Sequence, residues 1–501
     1  FIGFEAVEQF QYVRESGVVC PHCANHCSRT ILRFPDGGCY VTGNRCDRGA
    51  VVMEAAPAHK AQEVPDLFRL RQELLFKTYP VSPVREEQSQ TVGLPRVLEF
   101  WDSMPFWSTF FRALGYRVKF SHPSSRRQYE SGLQYVASDT ICFPAKLVHG
   151  HVLDLSKQGV DRIFLPYILH MPTENKGEKS PYVCPVIMGY SMVVRNFQSP
   201  GEHFSVGFET PVFHWFSKQD RKRQICRYAV EHCGATKRQA EAAYRQAETA
   251  ILSFRHQLVE EGKRVIADTG KAGGFAVVLA GRPYHTDPLI NHDLSGMFTR
   301  RGIPVLTVDS LPGLEKADLR RSRVEITNDF HARMLSGAMV TAEQPCLEYV
   351  QIVSFGCGHD AILSDEIIRL LGEGSGKPPL ILKVDESEAA GSLGIRVQSF
   401  IETVQLRRSA QAEQAACRLP EPYAVKYRKE DRKLRTVLVP NISAPVSTLL
   451  TALMDREGIR AVSLPVGGPE QIRVGKKYTH NDICFPAQVV IGEALAALRS
   501  G

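Results

Sequence analysis

The sequence predicts an α/β protein, with repeated parallel-sheet lobes joined by long helices and a small cysteine-rich knuckle at the N-terminal end. Three observations carry this expectation. A short apolar strand, a helix of about three turns and a second apolar strand recur three times, and the right-handed crossover of such a βαβ unit gives a parallel, Rossmann-like sheet. Between the first two copies, Lys222 to Lys263 carries Ala240, Ala243, Tyr244, Ala247, Ile251 and Leu258 at helical spacing. The first fifty residues instead crowd cysteines into tight, glycine-flanked turns.

Taken in order, residues 1–50 hold Cys20-Pro-His-Cys23-Ala-Asn-His-Cys27, then Cys39 and Gly43-Asn-Arg-Cys46. Cysteines at C-x2-C-x3-C spacing with a fourth on a turn can converge on one ion. Cys20, Cys23, Cys27 and Cys46 are therefore the expected four-thiolate site, with Cys39, His22 and His26 as substitutes. Zinc is favoured over a second iron–sulfur cluster there on spacing alone. Residues 51–90 read as a linker with one short helix from Leu67 to Leu75, because Pro57, Pro65, Pro80 and Pro83 interrupt anything longer.

Residues 91–215 form the first lobe, with strands expected at Val92–Arg96 and Gly115–Phe120 around an aromatic helix ending near Leu114. Residues 216–270 are the helical connector. Residues 271–418 form the second lobe, with strands at Phe275–Gly281 and Gly302–Val308 joined through a helix. A charged linker spans 419–435, and 436–501 reads as the start of a third unit, cut short.

The most informative detail is a repeated device. Ser138-Asp-Thr-Ile-Cys142-Phe-Pro-Ala-Lys146 and His480-Asn-Asp-Ile-Cys484-Phe-Pro-Ala-Gln488 each set a cysteine before a proline that opens an amphipathic stretch. Proline suits a first helical turn, and a thiolate at that end meets unpaired N–H groups and the positive end of the dipole. Two further cysteines stand at turns: Cys184 before Pro185, and Cys357 between Gly356 and Gly358 at a strand end. Ligands in open parallel sheets bind beyond the carboxyl ends of the strands. Cys142, Cys184 and Cys357 are thus expected to line one cleft and hold a 4Fe-4S cluster with one iron open. His149, His151, His285 and His292 are the acid–base or substrate-contact candidates, as loop histidines near those ends. Cys226, Cys233, Cys346 and Cys417 lack turn punctuation and are left out.

Composition narrows the rest. The 501 residues carry a formal charge of +7, scattered rather than gathered in an aromatic-interleaved stripe, which argues against nucleic acid. No apolar run reaches membrane-spanning length, and thirteen cysteines, an odd number in metal-like spacings, fit a reducing cytoplasm better than a disulfide framework. Leu371-Gly-Glu-Gly-Ser-Gly-Lys377-Pro378 is no phosphate loop, because the spacing is wrong and Pro378 stands where Ser or Thr is needed. Phe1 in place of Met and an end soon after Cys484 suggest a fragment of a longer polypeptide.

Together these motifs, with Gly93-Leu-Pro-Arg96, Pro105-Phe-Trp107, Gly281-Arg-Pro-Tyr-His285 and Ser354-Phe-Gly-Cys-Gly358, resemble the acyl-CoA dehydratase activase-related proteins. These are relatives of the 2-hydroxyacyl-CoA dehydratase, benzoyl-CoA reductase and double-cubane cluster families. The resemblance runs from about residue 15 to the C-terminus. It implies an ATP-hydrolysing activator module, fused N-terminally in the full protein, that delivers low-potential electrons to a cluster acting on an acyl-CoA or other small substrate. Cys142, Cys184 and Cys357 look similar to cluster-ligand positions, and Cys484, the fourth cofactor-binding candidate, matches only its own repeat; the resemblance is compatible with a double cubane and with a dimer. The competing expectation is a non-redox scaffold that couples the activator to partner subunits, with structural zinc at the knuckle.

Overall fold

A computed structural model describes the chain except residues 1–10, 22–26, 35–38, 44–48, 50–63, 79–89, 172–181, 216, 326–327, 388–389, 411–418, 422–426, 442, 481–482 and 501. The α/β expectation holds. A small antiparallel sheet, β1 (Val13–Val19), β2 (Ser28–Arg33) and β3 (Cys39–Thr42), precedes a series of parallel sheets.

The first lobe runs β4 (Thr91–Leu94), α2 (Phe100–Ala113), β5 (Arg117–Phe120), α3 (Arg126–Gly132), α4 (Phe143–Lys157), β6 (Arg162–Phe164), β7 (Tyr167–Ile168), α5 (Pro185–Val193), β8 (Gly207–Glu209) and β9 (Val212–Phe213), with α1 (Leu67–Glu73) ahead of it. Its parallel sheet has the order β5-β4-β6-β8, and β7 with β9 prolongs the last pair. Val92 and Leu94 are fully buried, and Pro95, which has no N–H to offer a ladder, follows the strand directly. Helix α2 is buried along nearly its whole length. Trp107 packs on Phe164 of β6 with ring centroids 4.7 Å apart.

Two helices, α6 (Lys218–Cys233) and α7 (Lys237–Lys271), make the connector. Thr236 and Gln239 start α7 with a reciprocal capping box. The small residues Ala240, Ala243 and Ala247 are buried against the first lobe, and Tyr244 meets Phe106 of α2 edge-on at 5.7 Å.

The second lobe runs β10 (Ala276–Ala280), α8 (Leu294–Thr299), β11 (Val305–Thr307), α9 (Asp329–Glu343), β12 (Leu347–Ser354), α10 (Gly358–Ser375), β13 (Leu380–Val384) and α11 (Ala390–Ser409). Its order, β11-β10-β12-β13, repeats the first lobe's: second strand, first, third, fourth. Each sheet therefore has a switch point between its first and third strands, where successive connections leave in opposite directions. Apolar side chains cover both faces. Val278, Leu347 and Ile367 belong to one core, and Val277, Val350 and Leu382 to the other. The single helix expected between Gly281 and Gly302 is broken into a 3-10 turn at Pro283–Thr286, a short turn at Pro288–Asn291 and α8. Two prolines remove N–H donors, and the Asp287 carboxylate caps the second turn by accepting from the Leu289 amide.

Within the stretch read as a linker with one short helix, that helix is present as α1, and residues 64–78 form a wedge between the lobes. Asp66 caps α1, Leu67 and Phe68 enter the two cores of the second lobe, and Leu74, Leu75 and Phe76 enter the core of the first. Arg71 completes it. Its Nε donates to Asp309 at 2.8 Å and its Nη2 to Asp102 on α2 at 3.4 Å. Arg333 of α9 reaches the same Asp102 at 2.9 Å, and Arg255 of α7 at 3.5 Å. Burial would raise the Asp102 pKa, but Arg333, Arg255 and Arg71 more than reverse this and hold it below the ordinary carboxylate range. The first two residues of the later linker are held as well, since the Arg321 guanidinium donates to the Leu419 and Pro420 carbonyls.

The C-terminal unit repeats the start of the first lobe element by element: β14 (Val437–Val439), α12 (Ala444–Arg456), β15 (Ala461–Ser463), α13 (Pro469–Tyr478), Cys484 and α14 (Phe485–Ser500). The correspondence extends to contacts. A Cβ on Gly150 of α4 would lie 2.3 Å from the Gln128 carbonyl oxygen, and one on Gly492 of α14 would lie 1.9 Å from that of Gln471. Each crossing thus requires glycine. The next residue does the same work in both copies. His151 bonds Ser121 Oγ at 2.7 Å and Ser124 Oγ at 3.0 Å, while Glu493 accepts from the Asn441 and Gly467 amides at 3.0 and 2.7 Å.

Glu99, at the start of α2, is 2% exposed, and its Oε1 has no hydrogen-bond partner among the described residues. Burial pushes its pKa up to about 8 from 4.5. The folded chain then binds a proton that the unfolded chain releases, so Glu99 lowers stability progressively as pH rises from 4.5 to about 8. Glu99→Gln is expected to flatten that slope and to stabilise the chain at pH 8 by on the order of 4 kcal/mol. Denaturant melts of both proteins at pH 5 and pH 8 check this.

Candidate functional site

Three of the four turn cysteines stand in the same local structure. Cys142, Cys184 and Cys357 are the N-cap residues of α4, α5 and α10, each in extended or near-extended backbone, and none uses its sulfur to cap its own helix. Pro144 and Pro185 occupy first-turn positions where a missing N–H costs nothing. Gly356, at φ +75°, supplies the left-handed turn that swings the chain from β12 into Cys357. Cys357 alone follows a sheet strand directly; Cys142 and Cys184 arrive through loops.

These three side chains gather where the lobes meet. Cys142 feels the charges of Cys184, Cys357 and Arg282, and Tyr284 feels all three cysteines. Arg282 and Tyr284 follow β10, so the site lies over the switch point between β10 and β12. Three helix N-termini converge there, and their unpaired N–H groups add positive potential to the guanidinium.

Arg282 is the hub. Only 2% exposed, it forms an ion pair with the fully buried Asp360, its Nη1 donating to Oδ2 at 2.9 Å and its Nη2 lying 2.7 Å from Oδ1. Its Nη2 also donates to Cys357 Sγ at 3.2 Å and to His331 Nε2 at 3.1 Å. Its amide donates to Nδ1 of His285, leaving that ring's Nε2–H to donate to Ser354 Oγ at 2.9 Å. A Cβ on Gly281 would lie 2.6 Å from His285 Nδ1, so only glycine admits this arrangement. Burial, reinforced by the Arg282 charge, keeps His285, His331 and His359 neutral by pushing their pKa values down. Burial pushes the Cys142 thiol up to about 11, with the Ala145 amide and Arg282 opposing and the other two cysteines adding to the rise; Cys357 is raised in the same way.

The four candidate histidines fare differently. His149 and His151 are not in a loop but in the middle of α4, both at 0% exposure. His149 bonds Gln198 and Tyr190 at 3.0 and 3.2 Å, and His151 holds the loop serines described above. His285 is buried beneath the site, and His292 donates to the Asp385 carbonyl at 2.9 Å. Arg282, Tyr284, His331 and Asp360 were missed as site residues. The Gly281-Arg-Pro-Tyr motif was visible, but no local signal linked it to Cys357.

Cys484 precedes α14 in the corresponding position and is exposed. At the knuckle, the Cys20 amide donates to the Cys27 carbonyl at 2.9 Å, so both cysteines stand at the base of one hairpin loop. Cys23 and Cys46 lie outside the described residues. Among the described residues, no group of three or more His, Cys, Asp or Glu is arranged to hold a single metal ion. Cys142, Cys184 and Cys357 are free thiols at the starts of three separate helices.

Residues 91–311 match the family model described as CoA enzyme activase uncharacterised domain (DUF2229). The chain thus carries a domain of CoA enzyme activase proteins, spanning the first lobe, the connector and the first two strands of the second sheet. Cys142, Cys184, Arg282 and Tyr284 fall inside the match and Cys357 outside it. No curated protein matches the chain. Among the described residues, no helix is long and apolar enough to cross a membrane.

Proposed function

We propose that this chain is the iron–sulfur component of an ATP-dependent, low-potential electron-transfer system of the 2-hydroxyacyl-CoA dehydratase type, working with an ATP-hydrolysing activator module in the cytoplasm. The observation that carries the reading is that Cys357 bonds the buried Arg282 guanidinium while Cys142 and Cys184, helix-capping cysteines of the other lobe, stand within electrostatic reach of Cys357. Cys142, Cys184 and Cys357 would be three ligands of a 4Fe-4S cluster, which supplies one-electron chemistry at an iron without a protein thiolate.

The chain's own residues set that chemistry's surroundings. Arg282 and the helix N-termini offset negative charge on the thiolates, and the Arg282 bond to Cys357 tunes the sulfur's electron density. Asp360 fixes the guanidinium, and neutral His331 accepts from it. The Tyr284 ring, 4% exposed and within electrostatic reach of all three cysteines, would help keep bulk water from a cluster held there.

Anaerobic purification followed by iron, sulfide and zinc analysis and an EPR spectrum after reduction tests the reading. About four irons with matching sulfide, falling to under one in Cys142→Ala, Cys184→Ala or Cys357→Ala at unchanged fold, is the expected result. Iron-free protein, or iron indifferent to all three substitutions, would sink it. The second reading, a zinc-bearing scaffold, draws support from the paired Cys20 and Cys27 at one hairpin base. One zinc that survives loss of the three lobe cysteines supports that knuckle site and is compatible with either role.

A further inference from the structure

A cavity of about 230 Å³ opens beside two of the three cysteines and has almost no polar wall. One side is the loop carrying Ala137 and Ile141, immediately before Cys142. The other is a single face of α5, formed by Val186, Gly189, Tyr190 and Val193. Their spacing of three and four residues puts these side chains in one stripe.

Gly189 is the telling position. Glycine inside a helix costs roughly 1 kcal/mol relative to alanine, and is normally explained by a close backbone approach or a left-handed turn. Neither applies. Gly189 is not at positive φ, and a Cβ placed there would meet no atom within 4 Å. Its missing side chain leaves room in the cavity. The inner wall is rigid by contrast, since the buried Tyr190 hydroxyl bonds His149 Nε2 in the core. Tyr190 also stands within electrostatic reach of Cys142, so the cavity and the cysteine site adjoin.

We infer that this cavity is the binding site for a short, unbranched aliphatic chain on the substrate, with Gly189 limiting the chain length that enters. The inference rests on the cluster reading for what happens at the cysteines, but the cavity itself does not depend on it. Its size fits a fragment, because sites for whole drug-sized ligands run from about 300 to 1,000 Å³. A protein helix is too wide for it, and the polar side chain on its loop wall, Ser138, is already engaged with Thr140 Oγ1 at 2.9 Å.

Calorimetry with CoA, acetyl-CoA, butyryl-CoA and hexanoyl-CoA on the anaerobically purified chain tests this, joined by saturation-transfer NMR with butan-1-ol and hexan-1-ol as head-group-free probes. Affinity is expected to rise by about fourfold per added methylene until the cavity is full. Gly189→Leu, which improves helix propensity and whose Cβ meets no atom within 4 Å, should fill the cavity and abolish the chain-length gain and the alkanol signal while leaving CoA itself unchanged. Val193→Ala should move the plateau to a longer chain. An equal chain-length response in wild type and Gly189→Leu overturns the inference, as does the absence of both thioester and alkanol binding. Chain-length-dependent binding by protein that never holds iron would keep the cavity's role and remove the cluster reading, so the two fail separately.

Discussion

Asp102→Asn is expected to loosen the junction between the lobes and to cost about 3–5 kcal/mol, the range for breaking a buried ion pair by removing one partner. The carboxylate is 3% exposed and shared by arginines from three elements: Arg71 of the wedge, Arg255 of the connector and Arg333 of the second lobe. Removing its charge leaves the buried Arg71 with Asp309 at 2.8 Å and the buried Arg333 with Asp329 at 3.3 Å. Asparagine keeps one acceptor oxygen but puts an NH2 group where the second carboxylate oxygen accepted, and the arginines lose the charge that they share. The loss should appear as a lower melting temperature, by about 3–5 °C for a chain of 501 residues, and as new proteolytic cleavage between the lobes. The pH dependence has a definite sign. The folded-state pKa of Asp102 is depressed, so its contribution is present above the unfolded value of 3.8 and is lost as pH falls below it. Wild type and Asp102→Asn should therefore differ most near neutrality and converge in acid. Equal melting temperatures at pH 7 would show that the three arginines do not depend on this carboxylate.

The wedge explains why this lock was invisible in the sequence. Arg71 lies in a proline-interrupted stretch of mixed composition, and its partners Asp102 and Asp309 are 31 and 238 residues further on. No periodicity reports such a pairing. By contrast β4, β10 and β14 were legible, because each is a short apolar run stopped by Pro95, Gly281 or Pro440. The cysteine device was legible for the same reason: a helix start needs an N-cap and tolerates proline next to it, and both are local demands. What the repeat could not distinguish is which features serve chemistry and which serve packing. Gly150 and Gly492 recur because two helices cross there, and His151 is matched by Glu493, a residue of quite different acidity doing the same bridging. The duplication thus gives His151 a structural explanation, while Arg282, which lies outside the two segments that carry the cysteine device, belongs to the second lobe's own switch point.

Arg282→Ala is expected to lose stability and bound iron together, and a paired replacement should separate the two. Alone, it strands the fully buried Asp360 carboxylate, with a cost again of about 3–5 kcal/mol, so failure to bind a cluster could reflect a damaged loop. Asp360 has a second duty, accepting from the Ser354 amide at 3.0 Å where β12 ends. Asparagine can still accept there. Arg282→Met with Asp360→Asn therefore removes both charges, keeps that bond and fills the guanidinium's space with an apolar chain. Stability should return to within about 1–2 kcal/mol of wild type. Iron content should not return with it. Burial holds the Cys142 and Cys357 thiols in their protonated range, and Arg282 is the cation that opposes this at both. A metal centre needs the deprotonated sulfurs, so losing the guanidinium weakens binding even in an intact loop. The measurement is a melting temperature and an iron analysis on the same anaerobic preparations. Recovery of both in the double variant would reduce Arg282 to a packing residue, whereas recovery of the melt alone makes its charge part of the cysteine site.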